Sequence, residues 1–226
     1  MKRKPVLLLL LAYGFAATLS VFYGLVEKRS LFVTFVSFHL LVCLLVPILH
    51  GWWEQELSLQ WRKAWVPLDK EGIAYGLAIG VMLMTGIIAG AWLLLEGEVH
   101  AVHIRLVLET WGLTRQLLLP FSLYLVVVNS LLEELLWRGF VLERLLASLN
   151  RIQAVVVSSF FYSLYHLIIA VVLFGLFWGG VITLLVFGAG LLWGWMKRWY
   201  PAAYATWLSH LLADLGIIAV LVIWIY

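Results

Sequence analysis

The sequence predicts an all-α, polytopic transmembrane helical bundle of about seven spans with additional interfacial helices. Hydrophobic residues occupy 65% of its 226 positions and only 12% are charged, whereas about a quarter of the residues in a soluble domain carry a charge. The mean hydropathy is +1.04. The basic residues behind the net charge of +3 are scattered through short loops. This distribution is better explained by membrane topology than by nucleic-acid binding. The composition excludes a soluble globular protein.

Apolar runs of about 20 residues, the length that crosses a bilayer as a helix, locate the predicted spans. They are Val6–Val26, Leu31–His50, Gly72–Leu95, Leu117–Leu136, Ile152–Leu173, Phe174–Met196 and Ala203–Ile225. More polar segments with helical periodicity are expected at the interface, namely 53–65, 99–111 and 141–149. The first run is too long for a cleavable signal core. Residues 1–226 are therefore predicted to form a single transmembrane domain.

The distribution of basic residues predicts the orientation. Spans that alternate from a cytosolic N-terminus place eleven of the 15 Lys and Arg residues on the cytosolic side, with Arg138 and Lys197 counted there. Short cytosolic loops carry an excess of Lys and Arg, so we expect a multi-pass cell-membrane protein with its N-terminus in the cytosol. His50, at a span end, is expected to be solvated. The single Cys43 lies within a span, which excludes a disulfide framework and a cysteine-based metal site.

Two adjacent carboxylates, Glu133 and Glu134, end the fourth apolar run. A charge near hydrocarbon costs roughly 2.5–3.5 kcal/mol, so such a pair is usually kept for chemistry or transport. Glu134 can pair with Arg138 one turn later, in the favoured order, whereas Glu133 is rotated from it by about 100°. The pair could thus supply one fixed charge and one general base. The alternative is an interfacial ion pair in which both acids reach toward cytosolic water.

The seventh span repeats the four-residue spacing with His210 and Asp214. An Asp one turn away can fix an imidazole tautomer, although such a pair can also simply join helices. His166, near the middle of the fifth span, is by itself more typical of an interhelical hydrogen bond. His39 and Cys43 could form a nucleophile–base pair. A buried Cys is more commonly a small hydrophobe, and nothing else in that span supports catalysis.

The absence of familiar catalytic motifs limits the reactions that the sequence can support. The sequence contains no His-Glu-x-x-His zinc signature and no Gly-x-Ser-x-Gly nucleophile elbow. Asp214 is the only Asp within a predicted span, which argues against a two-aspartate protease. The remaining Glu, His and Asp residues fit water activation, metal binding or proton-coupled transport.

Three motifs in order resemble those of the CAAX protease and bacteriocin-processing (CPBP) family of intramembrane endopeptidases, which includes the type II CAAX prenyl endopeptidases. They correspond to Glu-Glu-x-x-x-Arg, Phe-x-x-x-His and His-x-x-x-Asn/Asp, and in this chain they read Glu133-Glu134-Leu-Leu-Trp-Arg138-Gly139, Tyr162-Ser-Leu-Tyr-His166 and His210-Leu-Leu-Ala-Asp214. The resemblance spans 117–215, the predicted CAAX-protease-like catalytic core. Tyr162 replaces the usual Phe. Asp214 stands where the eukaryotic prenyl-protein proteases have Asn.

The resemblance implies a role for each matched residue. Glu133 would activate a water for attack on a peptide carbonyl, with assistance from His166. His210, oriented by Asp214, would stabilise the oxyanion, because an ionised Asp cannot itself donate a hydrogen bond to that oxygen. Glu134 with Arg138 would hold the local structure.

The same resemblance leaves the metal and the substrate open. We expect no cofactor, and zinc held by Glu133, His166 and His210 is the alternative. The expected partners are the lipid bilayer and a peptide or membrane-protein substrate, cut near a prenylated C-terminus or elsewhere. No nucleic acid is expected. The competing function is a non-enzymatic membrane protein, such as a proton-linked transporter or an immunity or partner-binding protein, that uses the same polar cluster.

Overall fold

The computed structural model describes residues 3–56, 64–66, 68–97 and 99–226, and within them the chain is helical without strands. Six helical stretches in this part of the chain are long and apolar enough to cross a membrane, which confirms the all-α polytopic fold. In chain order the helices are α1 (Leu7–Glu27), α2 (Leu31–Trp53), α3 (Lys70–Glu96), the short α4 (Ala101–Thr110), α5 (Arg115–Leu146), the continuous stretch Arg151–Trp199 with its two arms α6 (151–174) and α7 (176–199), and α8 (Tyr204–Ile225).

Polar side chains fix where several of these helices begin. Ser30 accepts a hydrogen bond from the Val33 backbone at the start of α2, and Asp69 accepts one from the Glu71 backbone at the start of α3. Asn150 and Gln153 form a reciprocal capping box before α6. Each cap satisfies backbone N–H groups that the first helical turn leaves without a partner.

The stretch Arg151–Trp199 folds back on itself at Gly175. This residue has φ 76° and ψ 174°, a combination that only glycine adopts readily. A methyl group added at Gly179 would lie 2.7 Å from the Val171 backbone, and one added at Gly194 would lie 2.7 Å from the Val155 side chain. In these contacting pairs the residue number rises along α7 as it falls along α6, so the two arms are antiparallel. Each arm is about 36 Å long, and the seven predicted spans are all present.

Helices α3 and α8 run parallel in close contact through small residues. A methyl group at Gly76 would lie 2.3 Å from the Ala205 carbonyl oxygen, and one at Gly216 would lie 3.1 Å from the Met84 Cα. Such close backbone approach between membrane helices depends on small side chains. The third and the last span can be parallel only if an odd number of spans separates them, which independently supports the hairpin at Gly175.

The fourth predicted span is longer than the sequence suggested. We expected it to end at Leu136, with a separate interfacial helix at 141–149, but α5 continues to Leu146. The predicted break between the two helices was wrong because Arg138 is buried in an ion pair and does not end the helix. Of the other two predicted interfacial segments, 99–111 contains α4, whereas 53–65 lies mostly outside the described residues.

A second polar cluster joins α1, α2 and α5. His50 is only 3% exposed, so the expectation that it is solvated was wrong. Its Nδ1 lies 3.1 Å from the Tyr13 hydroxyl and its Nε2 lies 3.0 Å from Glu54 Oε1. Glu54 also binds Arg144. Partial burial opposes ionisation of Glu54, but Arg144 and His50 outweigh it and hold the pKa of this carboxyl below its ordinary value of 4.5.

Candidate active site

The six candidate catalytic residues of the three motifs lie on α5, α6 and α8, and five of them form one buried cluster. The exposed fractions of these five are 3% for Glu133, 0% for Glu134, 2% for Arg138, 2% for His210 and 5% for Asp214. Helix α5 presents the two acids on the α-helical turn Ser130–Glu134, between π-helical segments at Tyr124–Asn129 and Leu135–Val141. Buried charges of this kind require partners, and the cluster supplies them.

Glu134 connects the arginine to the histidine. Its Oε1 lies 3.1 Å from Arg138 Nη1, although that N–H group is not aligned for a hydrogen bond. The same oxygen accepts a hydrogen bond from His210 Nδ1 at 3.1 Å. The Arg138 guanidinium also stacks 4.4 Å above the ring of Tyr162 and 5.0 Å from that of Trp193. Arg138 and Glu134 therefore hold α5, α6, α7 and α8 together around His210.

The second nitrogen of His210 faces the remaining acids. His210 Nε2 lies 3.6 Å from Asp214 Oδ1, 3.8 Å from Glu133 Oε2 and 3.5 Å from the Tyr162 hydroxyl. The imidazole stacks on Trp193, with ring centroids 4.5 Å apart and planes inclined by 21°. Trp193 is in turn fixed by a hydrogen bond from its Nε1 to Ser209 Oγ at 2.9 Å. Because Glu134 holds Nδ1, Nε2 is the nitrogen directed at Glu133.

Glu133 is the acid that the cluster leaves available. Among the described residues, no group donates a hydrogen bond to Oε2 of Glu133 or of Glu134, although both atoms are buried; Glu134, however, is already held through Oε1 by Arg138 and His210. An unsatisfied buried carboxylate oxygen is rare and calls for an explanation, and a substrate water is a chemically suitable partner. The Tyr165 side chain lies next to this carboxylate.

His166 stands beside the cluster and, in the described part of the chain, forms no hydrogen bond with Glu133 or His210. Its Nδ1 donates a hydrogen bond to the Tyr162 carbonyl oxygen at 2.8 Å. Its ring centroid lies 4.8 Å from that of Tyr162 and 4.4 Å from that of Tyr165. Since Nδ1 carries the hydrogen, Nε2 is left as an acceptor.

Several residues of the site were missed by the sequence reasoning. Asn129 Nδ2 donates a hydrogen bond to Asp214 Oδ2 at 3.0 Å, and Trp193 and Tyr165 contact the two histidines. A signal for Asn129 existed, since it precedes Glu133 by four residues and so lies on the same helix face. No comparable signal marks Trp193, because indoles are scattered throughout this sequence.

The residues named for zinc do not form a ligand set. Within the described residues, no group of three or more His, Cys, Asp or Glu side chains is arranged to hold a metal ion. The His166 Nδ1 is used by a carbonyl oxygen and both nitrogens of His210 face carboxylates. We therefore derive no step through a metal, and the absence of a cofactor stays a prediction.

Comparison with known proteins identifies the family of this region. Residues 115–216 match the family model described as type II CAAX prenyl endopeptidase Rce1-like, which confirms the predicted resemblance of this segment to the CAAX protease family. The matched family is one of intramembrane endopeptidases, in keeping with the membrane-spanning helices of this chain. No match is found among curated proteins or among solved structures.

Proposed function

We propose that this protein hydrolyses a peptide bond with a water activated by Glu133, in a cavity that opens to the cytosolic side. The observation that carries the proposal is the meeting of Glu133 and His210, 3.8 Å apart and supported by Glu134 and Asp214, within the segment that matches the endopeptidase family. A buried base beside a buried imidazole is the arrangement that hydrolysis by water requires.

The first step forms the tetrahedral intermediate. Glu133 removes a proton from water while the water oxygen bonds to the scissile carbonyl carbon and the carbonyl π electrons move to oxygen. His210 acts as an imidazolium: its Nδ1–H donates to Glu134, and its Nε2–H donates a hydrogen bond to this oxyanion. A preorganised donor at the developing charge lowers the barrier by about 2.7–4 kcal/mol.

The second step breaks the peptide bond. Glu133 returns its proton to the amide nitrogen, the oxyanion re-forms the carbonyl and the C–N bond cleaves to an amine and a carboxylic acid, whose proton then passes to the amine to give an ammonium and a carboxylate. His166 assists by accepting a hydrogen bond from the attacking water at Nε2, the nitrogen that its Tyr162 contact leaves free. Arg138 does not react; its guanidinium lies beside the Glu134 carboxylate and holds it in place.

The proposed substrate is a membrane-associated polypeptide, cut near a prenylated C-terminus or within another membrane protein. The orientation with a cytosolic N-terminus supports access from the cytosol. Burial of Arg138 and Lys197 removes two charges from the loops, but the excess of basic residues on the predicted cytosolic side persists without them.

Terminus mapping of membrane proteomes tests the function. Cells that carry the intact protein are compared with cells that carry Glu133→Gln, with Glu143→Gln as the matched control on the same helix, because Glu143 is exposed. New protein termini should be present with the intact protein and Glu143→Gln and absent with Glu133→Gln. Identical termini in all three, at equal protein levels, would overturn the proposal and favour a non-enzymatic role.

A further inference from the structure

His39 lies beside the candidate active site although its helix, α2, is outside the segment that matches the family model. It is 4% exposed and sits in a stack of aromatic rings, with centroids 5.3 Å from Phe35 and 5.6 Å from Tyr124. Its Nδ1 lies 2.8 Å from the Tyr124 hydroxyl. A buried imidazole held at one nitrogen has a defined orientation, so its second nitrogen has a defined target.

The target that the geometry offers is Asn129, which stands five residues after Tyr124 on the same π-helical segment and so lies on the same helix face as the residue that binds His39. Asn129 donates from Nδ2 to Asp214 Oδ2 at 3.0 Å, and its carbonyl oxygen remains as an acceptor. A neutral His39 that accepts from the Tyr124 hydroxyl at Nδ1 can donate from Nε2. A hydrogen bond from Nε2 to the Asn129 oxygen would join the two observed ones into a chain that runs in one direction, from Tyr124 through His39 and Asn129 to Asp214.

The local helix geometry explains why two α5 residues reach the same histidine. Tyr124–Asn129 is π-helical, and i→i+5 hydrogen bonding aligns residues five apart on one face, whereas α-helical spacing separates them. Tyr124 and Asn129 therefore both face α2. Single π-helical turns of this kind occur frequently at functional sites.

We propose that His39 is a positioning residue of the active site, which fixes Asn129 and, through Asp214, the nitrogen of His210 that faces Glu133. This inference rests on the proposed function for its catalytic consequence. Asp214 lies 3.6 Å from His210 Nε2, so a rotation of the Asp214 carboxylate changes what that nitrogen contacts. His39 itself does not reach the reacting atoms.

The test compares three substitutions of one side chain with a packing control. His39→Leu removes both nitrogens. His39→Gln places an amide donor near the position of Nε2, and His39→Asn places one near that of Nδ1. Val42→Ala is the control, because Val42 is buried on the same helix and its truncation removes only packing. The probe is a quenched fluorescent peptide with a farnesylated cysteine a few residues before its C-terminus, cleaved by the full-length protein in liposomes.

We expect His39→Leu to lower kcat by about 10- to 100-fold, the usual effect of losing an outer-shell partner, with KM unchanged. His39→Asn should behave in the same way. His39→Gln should recover most of kcat, because it restores the donor to Asn129. Val42→Ala should leave kcat unchanged. Equal activity of the Gln and Asn variants, or an equal loss with Val42→Ala, would overturn the positioning role.

A stability cycle separates the failure of this inference from the failure of the proposed function. If the intact protein does not cleave the peptide in a Glu133-dependent manner, the function is refuted, but the contact can still be measured. Thermal unfolding of His39→Leu, Asn129→Leu and the double variant should be non-additive, with the double variant losing little more than the larger single loss, since coupled residues share one interaction. Additive shifts would refute the link between His39 and Asn129.

Discussion

The parallel contact between α3 and α8 predicts that one added methyl group at Gly76 will weaken both the fold and the site. A Cβ there would lie 2.3 Å from the Ala205 carbonyl oxygen, whereas ordinary contact begins at 3.4 Å. The helices must therefore separate by about 1 Å in Gly76→Ala, and overpacking of this kind costs about 1–3 kcal/mol.

The same displacement reaches the chemistry because Ala205 precedes His210 on α8 by little more than one helical turn. A 1 Å misplacement of a catalytic group can cost about 10²-fold in rate. We therefore expect Gly76→Ala to lower kcat more than its partial loss of stability would suggest. If Gly76→Ala displaces His210 without lowering the thermal unfolding temperature, its kcat should still fall.

A matched control lies on the same helix. Gly90 has nothing within 4 Å of an added Cβ, so Gly90→Ala should be neutral or slightly stabilising. Tryptophan fluorescence during heating in detergent measures unfolding, and peptide cleavage measures activity. If Gly76→Ala unfolds at the same temperature as Gly90→Ala and retains full activity, the close parallel packing of α3 and α8 is refuted.

Three further predictions concern the buried arginine, the hairpin and the second polar cluster. Arg138→Gln should destabilise the protein by about 3–5 kcal/mol, because it leaves Glu134 as an uncompensated buried charge, and denaturant unfolding measures the loss. Gly175→Ala should cost about 1–3 kcal/mol because of its backbone conformation, whereas Gly180→Ala, with nothing within 4 Å of the added methyl group, should not. Glu54 has a lowered pKa in the folded protein, so its stabilising effect is present above pH 4.5 and is lost as the pH falls through the folded value. The stability difference between the intact protein and Glu54→Gln should accordingly disappear in acid, and a difference that grows in acid would contradict this assignment.

The sequence predicted the helical class and the number of spans because both follow from local composition. Runs of about 20 apolar residues are necessary and nearly sufficient for a membrane helix. Even the boundary at Leu173 and Phe174 fell within two residues of the Gly175 turn. The contact between Glu134 and Arg138 was also predictable, since a four-residue spacing on a helix brings two side chains together.

Contacts between distant helices could not be predicted in this way. Nothing local indicates that His210 Nδ1 contacts Glu134, 76 residues away, or that Trp193 stacks on that imidazole. The prediction that His50 is solvated failed for the same reason, because its burial depends on Tyr13 from α1 and on Glu54, which directly follows α2. His39 was set aside since its own helix carries no other catalytic group, and its hydrogen-bond partner Tyr124 lies on α5.

The most direct test of the account is the cleavage rate of purified Glu133→Gln protein in liposomes, measured by mass spectrometry on the farnesylated peptide. Gln is nearly isosteric with Glu and cannot act as a general base, so kcat should fall about 10²- to 10⁴-fold. Glu143→Gln should cleave at the rate of the intact protein, and all three should unfold at similar temperatures. Cleavage by Glu133→Gln at the rate of the intact protein would contradict the role of Glu133 as the base that activates water.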